Sequence, residues 1–286
     1  MLLLRSLLFN LAFYLMTTAL LILPLPVYFI LPQGFAMWVV RTWARSGIWL
    51  LRVLAGTRLE IRGREHIPAS ASIVAAKHQS AFETFALVPQ LPNPTFVIKR
   101  ELKRIPIFGQ YTIKAGMIHV DRSAGISALR YIANRARTEI AKGRDIIIFP
   151  EGTRRPPGAP PDYHPGVAHI YRALGVSVVP VALNSGLFWR RRTFLRHPGT
   201  IVIEFLPPIP PGLAARRFME RLQSDIETAS ERLRREASGS GGLPVETAAR
   251  LGDRSPSPLA GEGRGEGSTP ASRPSPVKST DRSLSG

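Results

Sequence analysis

The chain has 286 residues, of which 38 are basic and 20 acidic, for a formal net charge of +18. Its 44% apolar content excludes a wholly disordered chain, and the absence of cysteine excludes disulfides, thiolate metal sites, iron–sulfur clusters and a cysteine nucleophile. After Ala237 six basic residues meet five acidic ones, a net +1, so +17 of the +18 lies on residues 1–237 and calls for a polyanion, either nucleic acid or an anionic membrane.

At the N-terminus no charged residue lies between Arg5 and Arg41, and residues 7–31 are almost continuously apolar. As a helix that stretch would measure about 37 Å, against roughly 30 Å for a hydrocarbon core. Pro24, Pro26 and Pro32 interrupt a simple rod. A spanning helix and a re-entrant or in-plane hairpin both remain open. A secretory signal fits poorly, because the stretch is too long and no small-residue cleavage site follows. In residues 34–55, Arg41, Arg45 and Arg52 fall in one narrow sector of a helix, near Trp38, Trp43 and Trp49. That pattern suits a lipid headgroup layer, where guanidinium meets phosphate; the alternative is an amphipathic helix packed on the domain. The positive-inside rule would put these arginines, and all that follows, on the cytoplasmic face of a membrane.

From Thr57 onward the pattern is that of an α/β domain. Apolar or β-branched runs at residues 72–76, 95–98, 117–120, 145–149, 176–183 and 200–205 predict strands, and residues 127–142 and 214–237 carry the clearest helical periodicity. The alternation predicts a central, mostly parallel sheet flanked by helices. Three regions follow: a membrane-anchoring helical segment over 1–56, a globular domain over 57–237, and a Gly/Ser/Pro-rich tail over 238–286 that is expected to be disordered. The run Gly-Glu-Gly-Arg-Gly-Glu-Gly at 261–267 lacks the spacing and the preceding strand of a phosphate-binding fingerprint.

Three segments could carry chemistry. Lys77-His78-Gln79-Ser80-Ala81-Phe82-Glu83 follows the first predicted strand. A histidine in the turn and a carboxylate in the next helical turn can fold together, fixing the imidazole tautomer and leaving the other nitrogen to take a proton from a hydroxyl. Ser80-x-x-Glu83 is equally a capping box, in which the glutamate binds only the Ser80 main-chain N–H. Phe149-Pro150-Glu151-Gly152-Thr153-Arg154-Arg155 lies at another strand end, where α/β sheets bind ligands. Arg154 offers a planar fork suited to phosphate; a solvated Pro-Gly turn is the plainer reading. The third is Lys99-x-x-Leu102-x-x-x-Pro106-x-x-Gly109 with Gly116–Arg122 after it, which alone reads as a basic face.

Taken in order, with Val179-Pro180-Val181-Ala182 as a fourth segment, residues of about 65–210 resemble the glycerolipid acyltransferase family, specifically the 1-acyl-glycerol-3-phosphate acyltransferases. The family's histidine, four residues, then an acid is matched by His78 and Glu83, and its Phe-Pro-Glu-Gly-Thr-Arg at every position from Phe149 to Arg154. Members usually carry aspartate where this chain has Glu83, often asparagine where it has Lys77, and commonly serine where it has Arg155.

The resemblance implies transfer of a fatty acyl group from acyl-CoA or acyl-carrier protein to the 2-hydroxyl of lysophosphatidic acid, giving phosphatidic acid at a membrane. His78 would be the general base, polarised by Glu83. Lys99 and Arg154, with Arg122, would bind the acceptor phosphate, and Glu151, Gly152 and Thr153 would shape the glycerol pocket. It implies no metal, no cofactor and no nucleic acid partner. Another lysolipid acceptor, such as a lyso-ornithine lipid, is the alternative within the enzyme class, and a non-catalytic basic membrane adaptor is the alternative outside it.

Overall fold

In a computed structural model of the chain, the described residues are 1–121 and 124–239. Two helices, α1 (Leu2–Ile22) and α3 (Gln33–Leu50), are joined through the short α2 (Leu25–Tyr28). The chain then enters a sheet whose strands are β1 (Thr57–Arg62), β2 (Ile73–Ala76), β3 (Pro94–Lys99), β4 (Ile118–Val120), β5 (Asp145–Ile148), β6 (Val178–Leu183) and β7 (Gly199–Phe205). The helices between and after them are α4 (Glu83–Ala86), α5 (Phe108–Lys114), α6 (Gly125–Ala141), α7 (Gly166–Leu174), α8 (Ser185–Phe188) and α9 (Ala215–Gly239).

The strand order is β1-β7-β6-β2-β5-β3-β4, and every pairing is parallel except β6 with β7. The expected central, mostly parallel sheet is therefore present. It has one strand more than the sequence pattern gave, β1, whose Leu59 and Ile61 alternate with the charged Arg58, Glu60 and Arg62 along an edge.

Central strands covered on both faces read as unbroken apolar runs, and β2 is Ile-Val-Ala-Ala with every side chain buried. Val74 and Ala76 face one core with Ile147, Val179, Phe82, Phe85, Phe9, Ala44 and Leu51. Ile73 and Ala75 face the other, closed by Ile132 of α6, Ile170 of α7 and Phe218 and Ile226 of α9. Residues 1–56 thus supply one of the two layers over the sheet. The helix expected over residues 127–142 is α6, and that over 214–237 is α9, which runs on through Gly239. The expected tail lies, from residue 240, outside the described residues.

α1 is docked by polar contacts as well as apolar ones. Asn10 donates to the carbonyl of Phe194 at 2.9 Å and accepts from Arg196 Nη2 at 3.0 Å, while Ser6 Oγ accepts the Arg196 main-chain N–H at 2.9 Å. The Arg196 guanidinium lies 4.2 Å from the Trp189 ring centroid. On its outer side α1 exposes Leu4, Leu8, Leu11 and Leu15. Among the described residues, α1 alone is long and apolar enough to cross a membrane. On α3, Trp38 and Trp49 are exposed, as are Arg45 and the nearby Arg52, whereas Trp43 turns inward and donates to Thr17 Oγ1 at 3.0 Å.

Candidate active site

The carboxyl ends of the parallel strands bring the separate motifs to one edge of the sheet. With β6, β2, β5, β3 and β4 adjacent in that order, the residues following them line up: Asn184 and Ser185, then His78, then the Phe149–Arg154 turn, then Lys99, then Asp121. Neighbouring strands lie about 4.8 Å apart, so β2 and β3, separated by β5, are roughly 10 Å apart. Arg122 lies outside the described residues.

His78 leaves the end of β2 and Glu83 opens α4. Nδ1 of His78 is 2.9 Å from Oε1 of Glu83. That oxygen also accepts the main-chain N–H groups of Gln79 at 2.6 Å and Ser80 at 2.7 Å, while Oε2 accepts the hydroxyls of Ser80 at 3.2 Å and Ser185 at 2.8 Å. Since Glu83 acts as an acceptor throughout, Nδ1 of His78 carries the hydrogen and Nε2 is left with its lone pair. Burial alone would raise the Glu83 carboxyl; the His78 hydrogen bond and charge, with the donors from Ser80 and Ser185, outweigh burial and hold it below its ordinary value. One carboxylate makes both the Ser80 main-chain contact and the His78 contact, but Ser80 does not cap α4, whose N-cap is Phe82.

The His78 ring stacks on Phe149, its plane 17° from that ring with centroids 4.0 Å apart. The turn after Phe149 reaches His78 from behind. Oε2 of Glu151 accepts the His78 main-chain N–H at 3.3 Å, and the Arg155 N–H donates to the His78 carbonyl at 2.8 Å. Gly152, at φ +63°, occupies the left-handed region that glycine adopts without strain. Glu151 is buried and gives its other oxygen to Lys77 at 2.9 Å. Thr153 is exposed and Arg154 half-buried. Arg154 is tied to the loop after α8 through its carbonyl, which accepts from Arg191 at 3.0 Å. Arg155 pairs with Asp162 at 3.0 Å.

Lys99 is exposed at the end of β3. Gly109 of the same motif is required by packing, because a Cβ there would stand 2.1 Å from the carbonyl oxygen of Lys103. Beside the Phe149 turn, between α6 and α7, opens an apolar groove of about 500 Å³ whose lining includes Val97, Ala128, Ile132, Phe149, Gly152 and Val167. Ser185 and Gln79 were not singled out by sequence reasoning. Gln79 accepts the Gly186 N–H at 3.0 Å, joining the β2 and β6 ends.

A histidine oriented by a buried carboxylate, on the carboxyl edge of an α/β sheet and beside a Gly-Thr-Arg turn, is an arrangement that can take a proton from a hydroxyl. The acyltransferase family model matches residues 58–184, which hold β1 through β6 and all four motif segments. Residues 58–184 are thus an acyltransferase-family domain. It is 38% identical over 169 residues to the 1-acyl-sn-glycerol-3-phosphate acyltransferase of Pseudomonas aeruginosa, spanning 59% of this chain and 66% of that one. It is 33% identical over 164 residues to the enzyme of the same name from Limnanthes alba, spanning 57% of each chain. The chain therefore spans between about half and two thirds of the curated relatives it matches. Its fold is that of the crystal structure of the 1-acyl-sn-glycerophosphate acyltransferase of Thermotoga maritima, with a TM-score of 0.68, 21% identity, and coverage of 80% of this chain and 96% of that one.

Proposed function

We propose that the protein transfers a fatty acyl group from a thioester, acyl-CoA or acyl-carrier protein, to the 2-hydroxyl of lysophosphatidic acid, releasing the thiol and phosphatidic acid. The 2.9 Å contact between His78 Nδ1 and Glu83 Oε1 carries the reading, with the names of the relatives supporting the acceptor. Nε2 takes the proton from the acceptor hydroxyl as its oxygen attacks the thioester carbon. The imidazolium so formed is stabilised by Glu83 and returns the proton to the leaving thiolate. His78 and Glu83 are thus the catalytic pair. Arg154 and Lys99, with Arg122, bind the acceptor phosphate, and Gly152 and Thr153 shape the glycerol site. Glu151 acts from behind, through its bonds to Lys77 and the His78 main chain. The apolar groove beside Phe149 accommodates an acyl chain.

Both lipids reside in a membrane, and the structure offers a surface to meet one. The outer leucines of α1 and the Trp38, Arg45, Trp49 and Arg52 strip of α3 form a combined apolar and basic face. The contacts of Ser6, Phe9 and Asn10 along the domain support an α1 that lies in the plane of the headgroups without spanning the bilayer, and the positive-inside rule supports the cytoplasmic side.

The test supplies membranes containing the wild type or His78→Ala with lysophosphatidic acid and a labelled acyl thioester. Labelled phosphatidic acid from the wild type alone is the expected result. Equal product from both removes His78 from the mechanism, and product only with another lysolipid replaces the acceptor.

A further inference from the structure

Behind His78 the buried Lys77–Glu151 pair extends to a third ionic side chain, the half-buried Glu227 of α9, which the chemistry above does not use. Lys77, only 3% exposed, donates from Nζ to Oε1 of Glu151 at 2.9 Å and to Oε1 of Glu227 at 2.6 Å. Glu227 belongs to α9, beyond the residues that the family model matches. Its Oε1 also accepts the phenolic O–H of Tyr163 at 2.8 Å, and the Tyr163 ring centroid lies 5.7 Å from the Lys77 ammonium. Glu151 spends its remaining oxygen on the main-chain N–H of His78. The links are continuous: Tyr163 and Glu227 hold Lys77, Lys77 holds Glu151, and Glu151 holds the peptide that carries the base.

One carboxylate would neutralise Lys77. The second, Glu227, is 29% exposed and adds negative charge where the group meets solvent, held there by close hydrogen bonds to Lys77 and Tyr163. Burial pushes the Glu151 carboxyl up even though Lys77 attracts its charged form. Burial, with Glu227 beside it, also holds the Tyr163 phenol protonated, so it serves as a donor. What the second carboxylate adds is location: with one acceptor on α9 and the other in the turn after β5, the ammonium has one position, and so has Glu151.

We propose that Lys77, Glu227 and Tyr163 are positioning residues for acyl transfer, fixing the main chain of His78 through Glu151 so that Nε2 meets the acceptor hydroxyl. The inference rests on His78 being the base. It makes α9 part of the working site as well as a cover for the sheet, because misplacing a reacting group by about 1 Å can lower turnover on the order of 100-fold.

The test uses the full-length chain in detergent micelles and compares wild type with Glu227→Gln, Tyr163→Phe, Lys77→Met and the double variant Lys77→Met/Glu227→Gln. Glu220→Gln, on the exposed side of α9, is the control. Readouts are kcat, KM for each substrate, melting temperature, and the His78 ring signal by NMR, assigned with His78→Ala. Glu227→Gln and Tyr163→Phe are expected to lower kcat about tenfold and Lys77→Met about 100-fold. Both KM values should stay within about twofold, and the His78 signal should shift while the fold is retained. The double variant should recover part of the Lys77→Met loss, since the carboxylate left facing Glu151 is gone. An unchanged kcat, a loss confined to KM or to melting temperature, or an unmoved His78 signal in the first two variants would overturn the proposal. If His78→Ala instead turns over like wild type, the base assignment fails, and the ring signal still decides whether the network positions His78.

Discussion

Oε1 of Glu83 accepts the main-chain N–H of Ser80 at 2.7 Å, and the same oxygen lies 2.9 Å from Nδ1 of His78. A clasp on the turn before α4 and an imidazole clamp thus share one atom, so the start of α4 and the base are tied together. The extra methylene relative to aspartate is used here: α4 starts at Glu83 itself, and the longer side chain folds back over Ser80 to reach His78.

This sharing separates two substitutions. Glu83→Gln keeps an acceptor for Ser80 but loses the charge that stabilises the imidazolium, so kcat should fall roughly 100- to 10,000-fold while the protein stays folded. Glu83→Asp keeps the charge but shortens the reach, and should retain more activity than Glu83→Gln with a lower melting temperature. Acyl-transfer kinetics and thermal melts on both variants check the ordering; Glu83→Gln at wild-type kcat would leave Glu83 only its bonds to the Gln79–Ser80 turn.

The same carboxylate sets a pH dependence of stability. Its folded pKa lies below the ordinary glutamate value of 4.5 because the donors from His78, Ser80 and Ser185 outweigh burial. A depressed carboxylate contributes stability that is fully present above the unfolded value and lost as pH falls through the folded one. The melting-temperature advantage of wild type over Glu83→Gln should therefore shrink as pH falls below the ordinary carboxylate range. A gap that widens below that range would reverse the sign assigned here.

His78 and Glu83 were legible in the sequence because they are five residues apart in one turn, where local spacing dictates geometry. The Phe149–Arg154 turn was legible for a different reason: parallel strands deliver their carboxyl ends to one edge, so a motif after β5 must arrive beside one after β2. Lys77 with Glu227, and Glu83 with Ser185, were not legible. Their separations of 150 and 102 residues leave no local pattern, and only the packing of α9 and the β6 end onto β2 brings them together. β1 escaped notice because an edge strand with Arg58, Glu60 and Arg62 has a solvated side and a short apolar signal.

The two adjacent arginines of the Phe149–Arg155 segment should behave differently. Arg155 is already committed, its guanidinium to Asp162 and its main-chain N–H to the His78 carbonyl, and the second of these survives side-chain truncation. Arg155→Ala should therefore change kcat and acceptor KM by less than about threefold, in line with the small worth of an exposed ion pair. Arg154→Ala should raise the acceptor KM on the order of 10- to 100-fold, matching a lost charge-assisted contact of about 1.5–3 kcal/mol. Equal effects from the two would remove Arg154 from the phosphate site.

The N-terminal helices make a further distinction measurable. Phe9, Ala44, Leu51 and Ala55 are fully or almost fully buried within one core of the sheet, so a chain beginning at residue 57 would expose that core to water. Such a truncation should aggregate and lose its cooperative melt, with loss of activity following from unfolding. Membrane attachment is better tested on the outer face. Trp38→Ser/Trp49→Ser with Leu8→Ser/Leu11→Ser alters exposed side chains only, and should leave the melting temperature within a few degrees, because exposed substitutions change stability by about 0.5 kcal/mol or less each. Flotation with vesicles containing anionic phospholipid should then show the folded variant shifting from the vesicle fraction to the soluble one. If the truncated chain folds, or if the surface variant floats like wild type, α1 and α3 are not the layer that both closes the sheet and meets the lipid.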